Sequence, residues 1–294
     1  MRFKVWLVLW YLCAGVTTAA AAQDYEIRLD RPVRAGERFH VTASGSEEEK
    51  SVITVGGELL RDDRENFTID FDAVMTILEV DAQARPTRAQ FSVTKCIKTE
   101  AYDQRPLLPP GAVVVAAVKD REEVFTVNGA PVNREVGKGL GLIITLSKGG
   151  ATDDEIFGTR SRRKVGERWG INAELAAREL LDFKLKVAKE DLRGSTSLEQ
   201  VVREGDRDYL LLAAEFSVAR VIPELPPGVV VEKSHVDMKF SGKYPLATVS
   251  PAVEESMDMT MGFLARGKTA PEGAEIVVES RARQRLQRRY TQLP

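Results

Sequence analysis

The sequence predicts an α+β fold dominated by antiparallel β-sheet: two related β-rich halves with a few short helices, arranged as one curved sheet or a partial barrel. Three observations predict it. Apolar and polar residues alternate over several stretches, related segments recur in the same order in both halves, and no strand–helix–strand unit is repeated.

The alternation comes first. Phe67, Ile69, Phe71, Ala73, Met75 and Ile77 fall on one face of an extended segment, with Thr68, Asp70 and Asp72 opposite. The pattern blurs at Val74 and Leu78, where a bulge or burial on both faces is expected. Val236, Met238 and Phe240 share a second such face, opposed by His235, Asp237, Lys239 and Ser241. Val253, Met257, Met259, Met261 and Phe263 make a third, against Glu254, Ser256, Asp258 and Thr260. Strands buried on one side and wet on the other belong to antiparallel sheet.

The recurrence comes second. Gly36-Glu37-Arg38-Phe39-His40-Val41 returns as Gly166-Glu167-Arg168-Trp169-Gly170-Ile171. Ala89-Gln90-Phe91-Ser92-Val93 returns as Ala214-Glu215-Phe216-Ser217-Val218, and Leu108-Pro109-Pro110-Gly111 returns as Leu225-Pro226-Pro227-Gly228 before a valine run. The spacing drifts slightly from match to match, as loop insertions would make it. Two prolines and a glycine cannot continue a helix or a central strand, so they launch the valine-rich strand that follows. The expected organisation is a signal peptide over 1–22, a first half over 23–150, a linker with a short helical turn over 151–165, and a second half over 166–294.

Helices are few. Residues 136–146 have helical apolar spacing, weakened by Gly137, Gly139 and Gly141. Thr152 caps a short turn whose Asp153, Asp154 and Glu155 suit the helix dipole, and Asn172 caps a helix over 173–181.

The N-terminus has the parts of a secretory signal: Arg2 and Lys4, an apolar run over 5–16, and Ala20 and Ala22 in an Ala-x-Ala site. The run is shorter than the ~20 residues of a membrane span, so the expectation is a soluble exported product, periplasmic or extracellular. Cys13 follows Leu12, not the small residue that lipid attachment requires. Loss of Arg2 and Lys4 takes the formal charge from −2 to −4, which gives no global argument for nucleic-acid binding. Cys96 is then the one remaining cysteine, excluding an internal disulfide, and is expected to be a small core hydrophobe.

Catalytic signals are thin. The two histidines, His40 and His235, lie on polar strand faces without a metal-ligand neighbour, and no Gly-x-Ser-x-Gly elbow is present. Gly137-Lys138-Gly139-Leu140-Gly141 lacks the spacing of a phosphate loop, which leaves a flexible or closely packed segment. The acidic stretch Asp62, Asp63, Glu65, Asp70 and Asp72 reads as a solvated face and not a calcium loop.

Two constellations remain as candidate sites. Met238, Phe240, Met257, Met259, Met261 and Phe263 form a stripe suited to a core or a pliable apolar pocket. Copper ligation is disfavoured, because alternate strand residues stand about 6.8 Å apart. Arg281, Arg283, Arg285 and Arg289 share a face if 275–290 is a strand. They could meet an anionic surface, but pairing across strands with acids such as Glu254 and Asp258 is the stronger expectation.

The expected architecture resembles exported carriers whose curved antiparallel sheet wraps an apolar cavity closed by helices, as in lipoprotein-carrier proteins, although no motif ties the chain to them. The functional expectation is a non-catalytic binding or interaction protein of the cell envelope, with an apolar small molecule or an envelope protein as partner. No cofactor, metal or nucleic acid is implied. The alternatives are a structural component of the envelope and a hydrolase using carboxylates such as Asp70 or Asp237.

Overall fold

In the computed structural model, which describes residues 23–182, 185–225, 227–268 and 273–294, the period-two segments are long strands of a single sheet. The expected signal peptide, with Arg2, Lys4, Cys13, Ala20 and Ala22, and Pro226 of the second proline pair lie outside the described residues.

The first half is a meander: β1 (Arg38–Val55), β2 (Glu58–Val80), β3 (Pro86–Glu100), β4 (Asp103–Leu108), β5 (Val113–Lys119), β6 (Glu122–Val127) and β7 (Ala130–Pro131). The second contains β8 (Arg168–Gly170), β9 (Leu185–Lys186), β10 (Leu192–Glu204), β11 (Arg207–Val218), β12 (Ile222–Pro223), β13 (Val229–Pro245), β14 (Glu254–Lys268) and β15 (Glu275–Gln292). The order across the main sheet is β7-β6-β5-β3-β2-β1-β15-β14-β13-β11-β10-β8, with β4 beside β3 and β9–β12 forming a separate ribbon. The ladders between strands are antiparallel. β1 pairs with β15 along its length, from Phe39 opposite Gln292 to Val55 opposite Ile276, so the halves share one sheet. Among the described residues that sheet does not close, since β7 and β8 are its two edges.

Alternation fixes which side chains are covered. Phe67, Ile69, Phe71, Ala73 and Ile77 are buried and Met75 is half-buried, while Thr68, Asp70 and Asp72 face the other way. The pairing of β2 with β3 skips Leu78, a bulge where the alternation blurs.

Among the described residues, three α-helices cover the apolar face. α1 (Arg134–Ile143) is capped by Asn133, whose side chain accepts from the Val136 amide at 2.9 Å. Its Leu140, Leu142 and Ile143 enter the core of the first half with Phe39, Phe67 and Phe71. Two glycines permit the close approach. A Cβ on Gly45 of β1 would stand 2.8 Å from Leu142, and one on Gly139 of α1 would stand 2.6 Å from Leu107. Within the glycine-rich run of α1, Gly139 is thus a tight packing contact, whereas Gly137 and Gly141 have ordinary spacing.

In the second half, α2 (Asp153–Ile156) begins with a capping box between Thr152 and Glu155. α3 (Ala173–Asp182) follows Asn172, whose side chain accepts from the Leu175 amide at 3.2 Å. Ile156, Ala176 and Ala177 bury against Leu192, Phe216, Val218 and Val236. A further core joins Ile27 and Leu29, from the segment before β1, to Trp169, Leu198, Leu210, Leu212 and Tyr244.

The turns that launch the two halves match bond for bond. Gly36 and Gly166 have φ of 90° and 84°, values that favour glycine. Gly36 donates to the Ile77 carbonyl and Gly166 to the Leu198 carbonyl, each at 2.8 Å. The Glu37 side chain accepts from the Arg34 amide at 3.1 Å, and that of Glu167 from the Lys164 amide at 3.0 Å. One residue beyond Ile77 and Leu198, pairing skips Leu78 in β2 and Glu199 in β10. The parallel then slips by two residues: Met75 faces Phe91, whereas Thr196 faces Ala214 and not Phe216.

Candidate functional site

Met238, Phe240, Met257, Met259, Met261 and Phe263 share the helix-covered face, and all six are half-buried. Met238 stands opposite Met259, and Phe240 opposite Met257. Met257 packs against the first-half core, Phe240 against the core around Trp169, and Met238, Met259 and Met261 against the core under α2 and α3. The stripe therefore lies where the cores converge.

The arginines occupy the opposite face, each beside a carboxylate. Arg281 lies 2.9 Å from Glu279, Arg283 2.5 Å from Asp258, Arg285 3.5 Å from Glu48 and 3.7 Å from Asp258, and Arg289 3.0 Å from Glu254. The hydrogen bond from Arg283 holds the Asp258 carboxyl below the usual carboxylate range, against the small cost of its burial.

On this polar face a cavity of about 700 Å³ is bordered by residues of eight successive strands, from Asn66 and Thr68 of β2 to Arg168 of β8. Register aligns its floor into rows that cross the strands. One row runs Ser44, Gln287, Ser256, Ser241, Ala213, Ser197, nearly all small and neutral. The next runs Ser46, Arg285, Asp258, Lys239, Glu215, Ser195, with charge alternating along its centre. On the other side of the hydroxyl row, Arg289, Glu254 and Lys243 alternate in the same way. Ser241 and Ser256 share a hydrogen bond of 2.6 Å, Ser44 donates to Asp70 at 3.0 Å, Ser197 donates to Glu199, and Arg168 bonds Glu215 at 2.9 Å.

A second cavity, about 950 Å³, lies at one end of the sheet between the β9–β12 ribbon and the start of β13. Its apolar lining includes Leu181, Val221, Ile222, Leu225, Val230 and Val231, with Lys186, Arg220 and Lys233 among the charged residues. Leu181, Ile222 and Val230 remain 52%, 55% and 68% exposed. β11 first pairs with β13 at Val236, so residues 229–235 of β13 extend past it. None of the sequence-predicted site residues lines this cavity, whereas Arg285, Phe240 and Met257 border the polar one.

Glu47, Glu49 and Glu65 converge closely enough to hold a cation, but an ammonium already sits among them. Lys138 of α1 lies 2.5 Å from Glu47 and 2.6 Å from Glu65, above the Phe67 ring. Burial works against that ammonium, yet its hydrogen bonds to the two carboxylates outweigh burial and raise its pKa. The cluster docks α1 onto the sheet. The other acids of the stretch are also engaged: Asp62 with Arg64, Asp63 with Arg61, Asp70 with Ser44, and Asp72 with His40. Cys96 is 1% exposed, and burial pushes its thiol up to about 12, which makes it an inert core residue.

No family profile and no curated protein matches this chain. Among solved structures it is weakly similar to an outer membrane channel from Pseudomonas putida F1, at 8% identity over 89% of this chain and 97% of that one. The TM-score is 0.18, so the likeness carries no argument. Among the described residues, no helix is long and apolar enough to cross a membrane.

Proposed function

We propose that this chain is a non-catalytic, exported binding or interaction protein of the cell envelope that holds an apolar ligand at one end of its sheet. The observation that carries the reading is the 950 Å³ cavity, where Leu181, Ile222 and Val230 stay largely in water. Its size is within the ~300–1,000 Å³ typical of ligand sites. Export rests on the character of residues 1–22 alone. The assembly alternative draws support from Leu59 and Leu60, 63% and 70% exposed beside the β1–β2 turn.

Native against denaturing mass spectrometry of the full chain, with uptake of a hydrophobic dye, tests the reading. An apolar species released on denaturation, or dye uptake abolished by Val230→Glu and Ile222→Glu, supports it. Absence of both a bound species and dye uptake defeats it, and a stoichiometric envelope partner without ligand moves the case to assembly.

Two architectural readings accompany it. The halves descend from one duplicated module, supported by the matching glycine turns and by the bulges at Leu78 and Glu199. The sheet curves about its polar face: laid flat, eight strands at about 4.8 Å spacing put β2 and β8 roughly 34 Å apart, yet both border one cavity.

A further inference from the structure

We infer that the polar cavity is a second binding site, built for a neutral, polyhydroxylated chain such as an oligosaccharide lying across the strands. It shares no lining residue with the apolar cavity, so the two sites stand or fall separately. Ser44, Ser256, Ser241 and Ser197 present hydroxyls on one line, joined by the amide of Gln287. A hydroxyl donates one hydrogen bond and accepts two. The protons of Ser44 and Ser197 are taken by Asp70 and Glu199 and one is shared between Ser241 and Ser256, so the row chiefly offers acceptor lone pairs to the hydroxyl donors of a sugar. Small side chains make this row the low line of the face; Arg285, Asp258, Lys239 and Glu215 wall it on one side, and Glu199 borders it on the other. Six strands at about 4.8 Å spacing make the row roughly 24 Å long as measured along the curve of the sheet, a contour suited to a chain and not to a single small molecule.

The walls select against charge. Three cations and four carboxylates border the cavity, and they are largely matched to one another: Arg168 with Glu215, and Arg285 with Glu48 and Asp258. A strongly anionic or cationic polymer would have to break these pairs, whereas a neutral one leaves them intact. An extended peptide is also disfavoured. Strand addition needs a free backbone edge, and the central strands here already have neighbours on both sides. What remains for recognition is side-chain hydroxyl and amide exchange. The floor rows have no aromatic platform, so binding is weak, with Kd between about 10 μM and 1 mM.

The test is calorimetric titration of the full chain with maltohexaose, cellohexaose and chitohexaose. At least one is expected to bind, with little change between low and high salt. The double variant Ser241→Val/Ser256→Val removes two floor hydroxyls while keeping strand propensity, and Ala213→Leu fills the row without removing any. Each is expected to weaken binding about tenfold or more, with circular dichroism and melting unchanged. The inference is overturned if none of the three sugars binds, if both variants bind as wild type does, or if affinity collapses with salt. Val230→Glu, in the apolar cavity, is expected to leave sugar binding intact.

Discussion

Asp70 and Phe71 are neighbours in β2 and live in different environments. Phe71 is 3% exposed and stacks edge-on against Phe91 beneath the α1 cover, while Asp70 accepts from Ser44 on the open side. The same division runs across the sheet: Phe216 and Ser217 of β11 repeat it at the far end. One face is held by shape, through glycines that admit a helix and aromatics that fill the space. The other is held by complementary charge and hydroxyl bonds that water can replace. The covered face should therefore determine stability, and the open face should determine what the polar cavity binds.

Substitutions on the two faces sharpen that contrast. Phe67→Ala should have the largest effect. Phe67 is 1% exposed, and its loss should cost about 3–5 kcal/mol in urea unfolding. Lys138→Met should follow at about 2 kcal/mol, because it leaves the buried Glu47 without its ammonium. The sign of its pH dependence is set by the raised pKa of Lys138. The contribution is fully present below the ordinary lysine value near ~10.4 and lost as pH rises through the higher folded value. The gap between wild type and variant should thus stay constant from neutral pH to that point and narrow only above it.

Asp258→Asn, on the open face, should move the urea midpoint least. Its depressed pKa gives a contribution present above about 3.9 and lost as pH falls through the folded value, so any difference should fade in acid. A loss at Asp258 comparable to that at Lys138 would erase the distinction between the faces.

Much of this division was legible in the sequence, because burial on one face writes itself as period two. The strand around Phe67 to Ile77, the bulge near Leu78 and the caps at Thr152 and Asn172 each depend on residues close together in the chain. The two candidate sites were not legible for the opposite reason. The hydroxyl row takes one residue from each of six strands, and only register shows that Ser44, Gln287 and Ser256 are aligned. The apolar cavity gathers Leu181, Ile222 and Val230 from elements separated by turns. Gly45 reads as a flaw in a strand until the packing of Leu142 explains it. The methionine stripe was visible, and the meeting of three cores upon it was not.

The most direct test of the two-faced sheet is thiol accessibility along β1 and β11. In a Cys96→Ala background, single cysteines replace Thr42, Ala43 and Ser44 in β1, and Ala214, Glu215, Phe216 and Ser217 in β11. Rapid labelling at 42, 44, 215 and 217 in the native protein, with protection at 43, 214 and 216 until unfolding, is the predicted result. Equal rates at neighbouring positions, or protection in the reverse phase, would contradict it.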